Sequence, residues 1–457
     1  MAEADTAVRD QAAEDEEEQR KERELVRVLM PSVALTVFSG AMLFSARQAV
    51  ALPQFKDPAA LTVFLARLAS AGALFEFLAN PIFGKLADTY GRRPVLPVAN
   101  FCVALVRLLL FLRPRRKYPL VLEQAFTIPL VTSFFTTYRA ALSDHLRGQA
   151  FARANATIGM GSGVAVITGP LVAKAVMSRA DPKYCYLVSV LFSTCSFANL
   201  LANFQESLPE EKRKPLVLND MQPFGFLQLM RSRVLRCLML ITGMQTFTEG
   251  RNILDVVSIY LLNDLKWGWN QINNFTSAYG VSLVVSGLTV KSLLKALGLI
   301  GFTTFSNACN VINLLCFAWV PPFTLLSASG SMWLGLAFAA PGGRKRDAAE
   351  ALIMKLGAEE GFGNGFLSGA MMNFRAVINV IGPLLFGSLY AWGSKRRQSR
   401  IVFLVGAATV LMAEASLRSL RAKDLGLNDR GQLLKDAATA PGGAPPAQEA
   451  GSRTDSS

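Results

Sequence analysis

The chain alternates long apolar runs with short polar connections. Apolar stretches fall near 26–46, 60–83, 94–112, 118–138, 155–178 and 184–204. They resume near 234–262, 271–293, 298–319, 321–340, 366–392 and 401–417. A helix that spans the hydrocarbon layer of a bilayer needs about 20 apolar residues. Few of these runs alternate polar and apolar faces as a soluble helix does, and none shows the period of two of a barrel strand. The pattern predicts an all-α membrane protein with twelve transmembrane helices in two six-helix bundles. The first bundle is expected over 25–205 and the second over 234–420, joined by a cytoplasmic linker at 206–233. An acidic tail, 1–24, precedes them, and a low-complexity tail, 421–457, is expected to be disordered.

Composition agrees. Of 457 residues, 51% are hydrophobic and 18% charged, against about 25% charged in soluble domains. The net charge of +14 hides an asymmetry. The first 24 residues hold ten acids and four bases, leaving 43 bases and 23 acids in the rest. Those bases are scattered through short connections, with no basic face or aromatic platform, which argues against nucleic-acid binding. The six cysteines form no CxxC pair, and His145 is the only histidine. Neither a metal nor a cofactor is expected. Nucleophile elbow, phosphate loop and zinc helix are all missing, so no enzyme chemistry or ATP-driven transport is expected. The acidic N-terminus resembles neither a cleaved signal nor a transit peptide.

Cytoplasmic loops carry an excess of Lys and Arg. Placing both termini in the cytoplasm collects Lys85, Arg92, Arg93, Arg139, Arg147 and Arg153 inside, and later Lys291, Lys295, Arg344, Lys345 and Arg346. RPRRK at 113–117 and KRRQSR at 395–400 oppose this orientation. The segment GGRKRDAAEA, 342–351, makes the connection from the tenth to the eleventh run unexpectedly long. The two halves also share a trace of repetition. The fifth run holds Gly169-Pro170-Leu171 and the eleventh holds Gly382-Pro383-Leu384. A pair of similar bundles with a site between them is a recurring transporter plan.

The connection after the second run reads GKLADTYGRRP, Gly84 to Pro94. It resembles the signature loop of the major facilitator superfamily, Gly-x-Leu-x-Asp-x-x-Gly-Arg-Arg/Lys. Gly84, Leu86, Asp88, Gly91, Arg92 and Arg93 match it in the expected place, and the likeness extends over roughly residues 25 to 420. The glycines permit a tight turn, and a carboxylate such as Asp88 is favoured near a helix N-terminus by about 0.3–1 kcal/mol. Arg92 is expected to reach Asp144 at the inner end of the fourth helix. The resemblance implies that such contacts latch the two bundles on the cytoplasmic side.

Other stretches resemble one branch. Phe204-Gln205-Glu206-Ser207-Leu208-Pro209 is similar to the close of the sixth helix in drug:proton antiporters. The eleventh run, GNGFLSGAMMNFRAVINVIGPLLFGSLYAW, is similar to tetracycline-resistance-like and hippocampus-abundant-transcript-like transporters. The fifth helix keeps Gly169-Pro170 of the antiporter pattern, but its other glycine positions fall on Ala156, Ala165 and Ala173-Lys174. Small residues there still allow close helix packing. Gly163, among others, is expected to supply flexibility.

Ionisable side chains inside a membrane cost about 2.5–3.5 kcal/mol on insertion scales, so they face a cavity or a partner. The candidates are Arg67, Glu76, Arg107, Glu123, Lys174, Glu249, Arg251, Asp255, Arg375 and Glu414. In this superfamily helices one, two, four, five, seven, eight, ten and eleven line the central path. By that resemblance Glu76, Glu123, Lys174, Asp255 and Arg375 lie on the substrate or proton path, with Gln124 beside them. Glu76 and Glu123 are the proton-carrier candidates, because a carboxyl in low dielectric can load and release a proton near neutral pH. The alternative is a carboxylate held by an arginine. Arg251 and Asp255, four residues apart, are expected either to neutralise each other or to meet substrate. Arg107 and Glu414 are expected to snorkel or pair.

The sequence therefore predicts a monomeric secondary transporter of a small organic solute, exporting it in exchange for protons. Uniport or symport of a metabolite, and a non-transporting receptor on the same fold, are the alternatives. Nothing in the chain distinguishes a plasma membrane from an organelle membrane.

Overall fold

The computed structural model describes residues 2–55, 57–146, 148–213, 223–421 and 425. Its helices are α1 (Ala2–Ala41), α2 (Leu43–Ala51), α3 (Pro58–Tyr90), α4 (Arg92–Leu112), α5 (Lys117–His145), α6 (Gly148–Met177) and α7 (Tyr184–Asn203) in the first half. After the short α8 (Phe226–Leu229) come α9 (Arg233–Phe247), α10 (Arg251–Asn263), α11 (Trp269–Ala318), α12 (Ala328–Gly342), α13 (Asp347–Glu359), α14 (Asn364–Lys395) and α15 (Ile401–Arg418). No strand occurs among the described residues. The acidic stretch is helical and runs into the first crossing, while most of the C-terminal tail lies outside the described residues.

Local chemistry sets many of the ends. Asp57 caps α3 by accepting from the Ala59 N–H at 2.9 Å, with Pro58 at the first helical position. Ser327 accepts from the Gly330 N–H at 3.0 Å and starts α12. Within α11, Gly298 takes φ 68°, a conformation that favours glycine. That bend divides α11 into the eighth and ninth crossings.

Nine helices among the described residues are individually long and apolar enough to cross a membrane. The count rises to twelve once α11 is divided and two broken crossings are recognised. The seventh crossing is α9 plus α10, of 15 and 13 residues. The tenth is α12 plus α13, again of 15 and 13 residues. At 1.5 Å per residue, each piece spans only about 20 Å, short of a ~30 Å hydrocarbon core. The segment read above as a long cytoplasmic connection is thus the break inside the tenth crossing. Lys345, assigned to an inside loop from its charge, is completely buried there.

The repetition around Gly-Pro has a packing basis. Gly169 on α6 lies against the interruption between α1 and α2, where an added Cβ would sit 2.8 Å from that of Ala41. Gly382 on α14 lies against the start of α10, where an added Cβ would sit 2.6 Å from Asn252 Cγ. Each half thus uses the glycine of its fifth crossing to approach the interruption in its first. Two seams join the halves, α3 with α14 and α6 with α11. Gly387 meets Ala66 in the first seam, and Gly163 and Gly280 meet Val284's and Ile167's sides of the second.

The cores are distributed unequally between the two ends of the molecule. At the end remote from the signature loop, one cluster spans both halves, joining Leu43, Leu61 and Tyr186 to Tyr260, Phe275, Phe317 and Phe403. Near the signature loop the halves have separate cores. One holds Leu29, Leu96, Phe134, Leu142 and Phe204; the other holds Leu235, Ile353, Phe374 and Leu417. Phe77 is the first-half residue in the latter, reaching Phe224 with ring centres 5.3 Å apart. The halves share one core at the remote end and keep separate cores near the loop, bridged there by Phe77.

Close approach at these glycines yields a prediction. Gly382→Leu should lower the melting temperature of the detergent-solubilised protein by several degrees, whereas Gly159→Ala, with nothing within 4 Å of the new Cβ, should leave it unchanged. Equal effects at both positions would refute tight packing at Gly382.

Candidate functional site

Two polar constellations stand out. The first is the signature loop. Gly91, between α3 and α4, takes φ 96°, and its missing side chain leaves the space occupied by the Glu206 carboxylate. That carboxylate accepts from the backbone N–H groups of Arg92 at 2.8 Å and Arg93 at 3.1 Å, and from Leu208 at 3.0 Å. It therefore satisfies the open N-terminus of α4, where a negative charge is favoured. Arg92 is buried, with Asp88 at 2.7 Å and Asp144 at 3.3 Å. The Ser207 hydroxyl donates to Asp144 at 2.9 Å. The expected Arg92–Asp144 contact is present. These contacts knit α3, α4, α5 and the segment after α7 within the first half, and a latch between halves is not among them. Glu206 was quoted above only as part of a similar stretch; its capping role depends on a fold that the sequence does not display.

The second constellation is a cavity between the halves, in two compartments. A polar compartment of about 340 Å³ is lined by Glu76, Thr132, Glu249, Arg251, Arg346 and Arg375, among others. An apolar one of about 410 Å³ is lined by Phe44, Phe135, Leu254, Phe275, Tyr279 and Phe317, among others. Arg251 and Val131 border both. Gly250, at φ 54°, makes the break that puts Arg251 at the start of α10.

The two helix breaks face each other here. Glu249, in the break of the seventh crossing, has Lys345 at 2.8 Å and Arg346 at 3.0 Å, both from the break of the tenth. Glu350 on α13 lies 3.8 Å from both Arg346 and Arg375. A chain of alternating charge thus runs from Lys345 to Arg375. Glu76 accepts from the Thr132 hydroxyl at 3.0 Å across the polar compartment.

The other expected path residues divide. Glu76 and Arg375 line the cavity; Glu123, Gln124, Lys174 and Asp255 line neither compartment. Glu123 is completely buried and paired with Arg47 at 3.5 Å, and the Gln124 carbonyl oxygen accepts from the same guanidinium. The alternative of an arginine-held carboxylate is what the geometry shows for Glu123. Lys174 donates to Asn274 at 3.0 Å and bridges α6 to α11. Asp255 is buried, and the i,i+4 pair with Arg251 does not form: no carboxylate lies within 4 Å of Arg251 among the described residues. Arg107 does not snorkel. It turns inward and donates to the hydroxyls of Ser39, Ser189 and Ser193 at 2.8, 3.0 and 3.2 Å. Glu414 pairs as expected, accepting from Thr304, Asn307 and Arg418.

Two helical bundles with a charged cavity at their interface, built around broken helices, define a membrane transporter fold. The family model described as Major Facilitator Superfamily matches residues 29–344, well over half the chain, and the chain belongs to that family. It is 20% identical over 323 residues to Hippocampus abundant transcript 1 protein of mouse and of human. It is 21% identical to human Hippocampus abundant transcript-like protein 1. These matches cover 69% of this chain and 64% or 62% of the relatives, so the chain spans less than two thirds of their length. Among solved structures, the human organic anion transporter MFSD10 (TETRAN) is similar with TM-score 0.64 and 16% identity, over 87% of this chain and 99% of that one. A D-xylose-proton symporter gives 0.70 and 11%, over 90% and 99%. The nucleoside transporter NupG gives 0.67 and 10%, over 86% and 98%. At these identities the likeness shows the fold alone.

The Glu249–Lys345 pair generates a test. Removing one partner of a buried pair leaves an uncompensated charge and costs about 3–5 kcal/mol. Glu249→Gln, which leaves the completely buried Lys345 without its carboxylate, should therefore unfold well below the parent protein, and the double variant Lys345→Met/Glu249→Gln should recover part of the loss. A single variant as stable as the parent, in thermal unfolding of purified protein, would refute the pairing.

Proposed function

We propose that this protein is a secondary transporter of a small organic solute that works by alternating access and couples transport to protons in the direction of export. The observation that carries the reading is the cavity between the halves, where Glu76 faces arginines. Glu76 accepts from the Thr132 hydroxyl and forms no ion pair within 4 Å among the described residues, so it can change charge without breaking one. Protonating it removes a negative charge from a compartment lined by Arg251, Arg346 and Arg375. Such a change is felt strongly in low dielectric. Glu123, already held by Arg47, is set aside as a carrier in favour of Glu76.

The distribution of cores supports rocking. Closure at the remote end and separation near the signature loop describe one of the two states that alternating access needs. With both termini in the cytoplasm, this state faces inward. The signature loop, with Asp88 and Arg92 paired inside the first half, is then unlatched from the second half and meets it when that end closes. Gly163, Gly169-Pro170 and Gly382-Pro383 allow the close sliding contacts. Substrate, protons and lipid suffice as partners for a monomer, because the path lies within one chain.

The test is flux in proteoliposomes for a panel of small organic solutes, with and without an imposed pH gradient. At least one solute should move faster down the appropriate gradient. Glu76→Gln should abolish the dependence on the gradient while exchange of solute across the membrane persists. Asp88→Asn should cripple net transport. Flux that ignores the gradient for every transported solute would leave uniport. Ligand binding without any flux, and without an effect of Asp88→Asn, would leave the receptor reading.

A further inference from the structure

The polar compartment has an unbalanced member. Arg346 is matched by Glu249 and Glu350, and Arg375 by Glu350. Lys345, behind them, is matched by Glu249. Arg251 has no carboxylate within 4 Å and no hydrogen-bond partner among the described residues, yet it projects where both compartments meet. Its only exposure is into the space between the halves. Exposed into that space and paired with no carboxylate, the guanidinium is open to an incoming anion. Its position at the start of α10 adds to the positive potential there, because the positive end of the helix dipole lies at the same place.

The apolar compartment points the same way. Phe44, Phe135, Phe275, Tyr279 and Phe317 give it walls suited to a ring system. The charged residues on its lining are Arg107 and Arg251. Arg107 donates to three serine hydroxyls through Nη1 alone and is buried, whereas Arg251 is the exposed guanidinium that a ligand can reach. A lipophilic cation in this compartment would meet two guanidinium groups and no acid.

We infer that the substrate is an amphipathic organic anion, whose carboxylate or sulfonate pairs with Arg251 and whose apolar body fills the aromatic compartment. This rests on the transporter reading and names its cargo class. The anion supplies the charge that Arg251 lacks. A planar guanidinium engages such a group through two parallel hydrogen bonds. Cationic drugs, the cargo that the resemblance to drug:proton antiporters suggests, are disfavoured by the same geometry.

The experiment uses the full chain in lipid nanodiscs and three probes of one shape: naphthoate, naphthylmethanol and naphthylmethylammonium. Thermal stabilisation is read for the parent, Arg251→Gln and Arg251→Lys. Naphthoate should stabilise the parent most, and the ammonium least. Arg251→Gln should weaken naphthoate about tenfold or more, leave the alcohol's shift unchanged, and restore nothing lost by the cation. Arg251→Lys should recover part of the anion binding. Without ligand, Arg251→Gln should melt no lower than the parent, since it removes an unmatched charge; a merely structural arginine would give a lower melting temperature. Preference for the ammonium or the alcohol, or unchanged naphthoate binding in folded Arg251→Gln, overturns the inference. Because binding is read without flux, the two readings fail separately. Naphthoate bound but never moved counts against transport alone, and solute flux without anion preference counts against the cargo class alone.

Discussion

The arrangement of the second half depends on keeping charge alive where water is scarce. Glu249, Lys345 and Arg346 sit in the breaks of the seventh and tenth crossings, and each break exposes backbone groups that a continuous helix would have satisfied. In a bilayer such irregular backbone survives only inside protein or beside a cavity. The ion pairs and the cavity therefore require each other. Remove the charges and the breaks lose the contact that holds them face to face. Close the breaks into continuous helices and the charges lose their places. The relation also explains why two crossings with short pieces remain in register: the 2.8 Å contact from Glu249 to Lys345 crosses from one break to the other.

Much of the architecture was legible from hydropathy. Runs of about 20 apolar residues, a polar linker and the Gly84–Pro94 loop were enough to anticipate two bundles and their family. The second piece of the tenth crossing, after its break, was not legible. GGRKRD carries too much charge to read as membrane, and the carboxylate that neutralises it lies on another helix, at Glu249. Hydropathy sums residues along the chain, whereas neutralisation happens across it. Arg107 was misjudged for the same reason, since the serines that hold it lie on α1 and α7.

The site was legible in residue type more than in role. Glu76 and Glu123 look alike in sequence, each a carboxylate within an apolar run. The fold separates them by what stands opposite. Arg47 closes on Glu123 and fixes it, while Glu76 meets a threonine and an open cavity. Arg251 and Asp255 share a helix at a spacing that permits pairing, but the pair does not form. Asp255 is buried in the field of Arg47, and Arg251 faces the cavity. A spacing rule describes opportunity on an isolated helix, and tertiary partners decide whether it is taken.

The unequal cores carry a thermal consequence for a protein that rocks. Parting the halves at the remote end wets part of a cluster that includes Tyr260, Phe275, Phe317 and Phe403. Newly wetted apolar surface raises heat capacity. Among the described residues the cores near the signature loop are separate apart from Phe77, so closing that end need not bury an equal area. The two states then differ in heat capacity, and the balance between them bends with temperature instead of following a straight van't Hoff line. The side on which the cavity rests open becomes a property of temperature as well as of ligand.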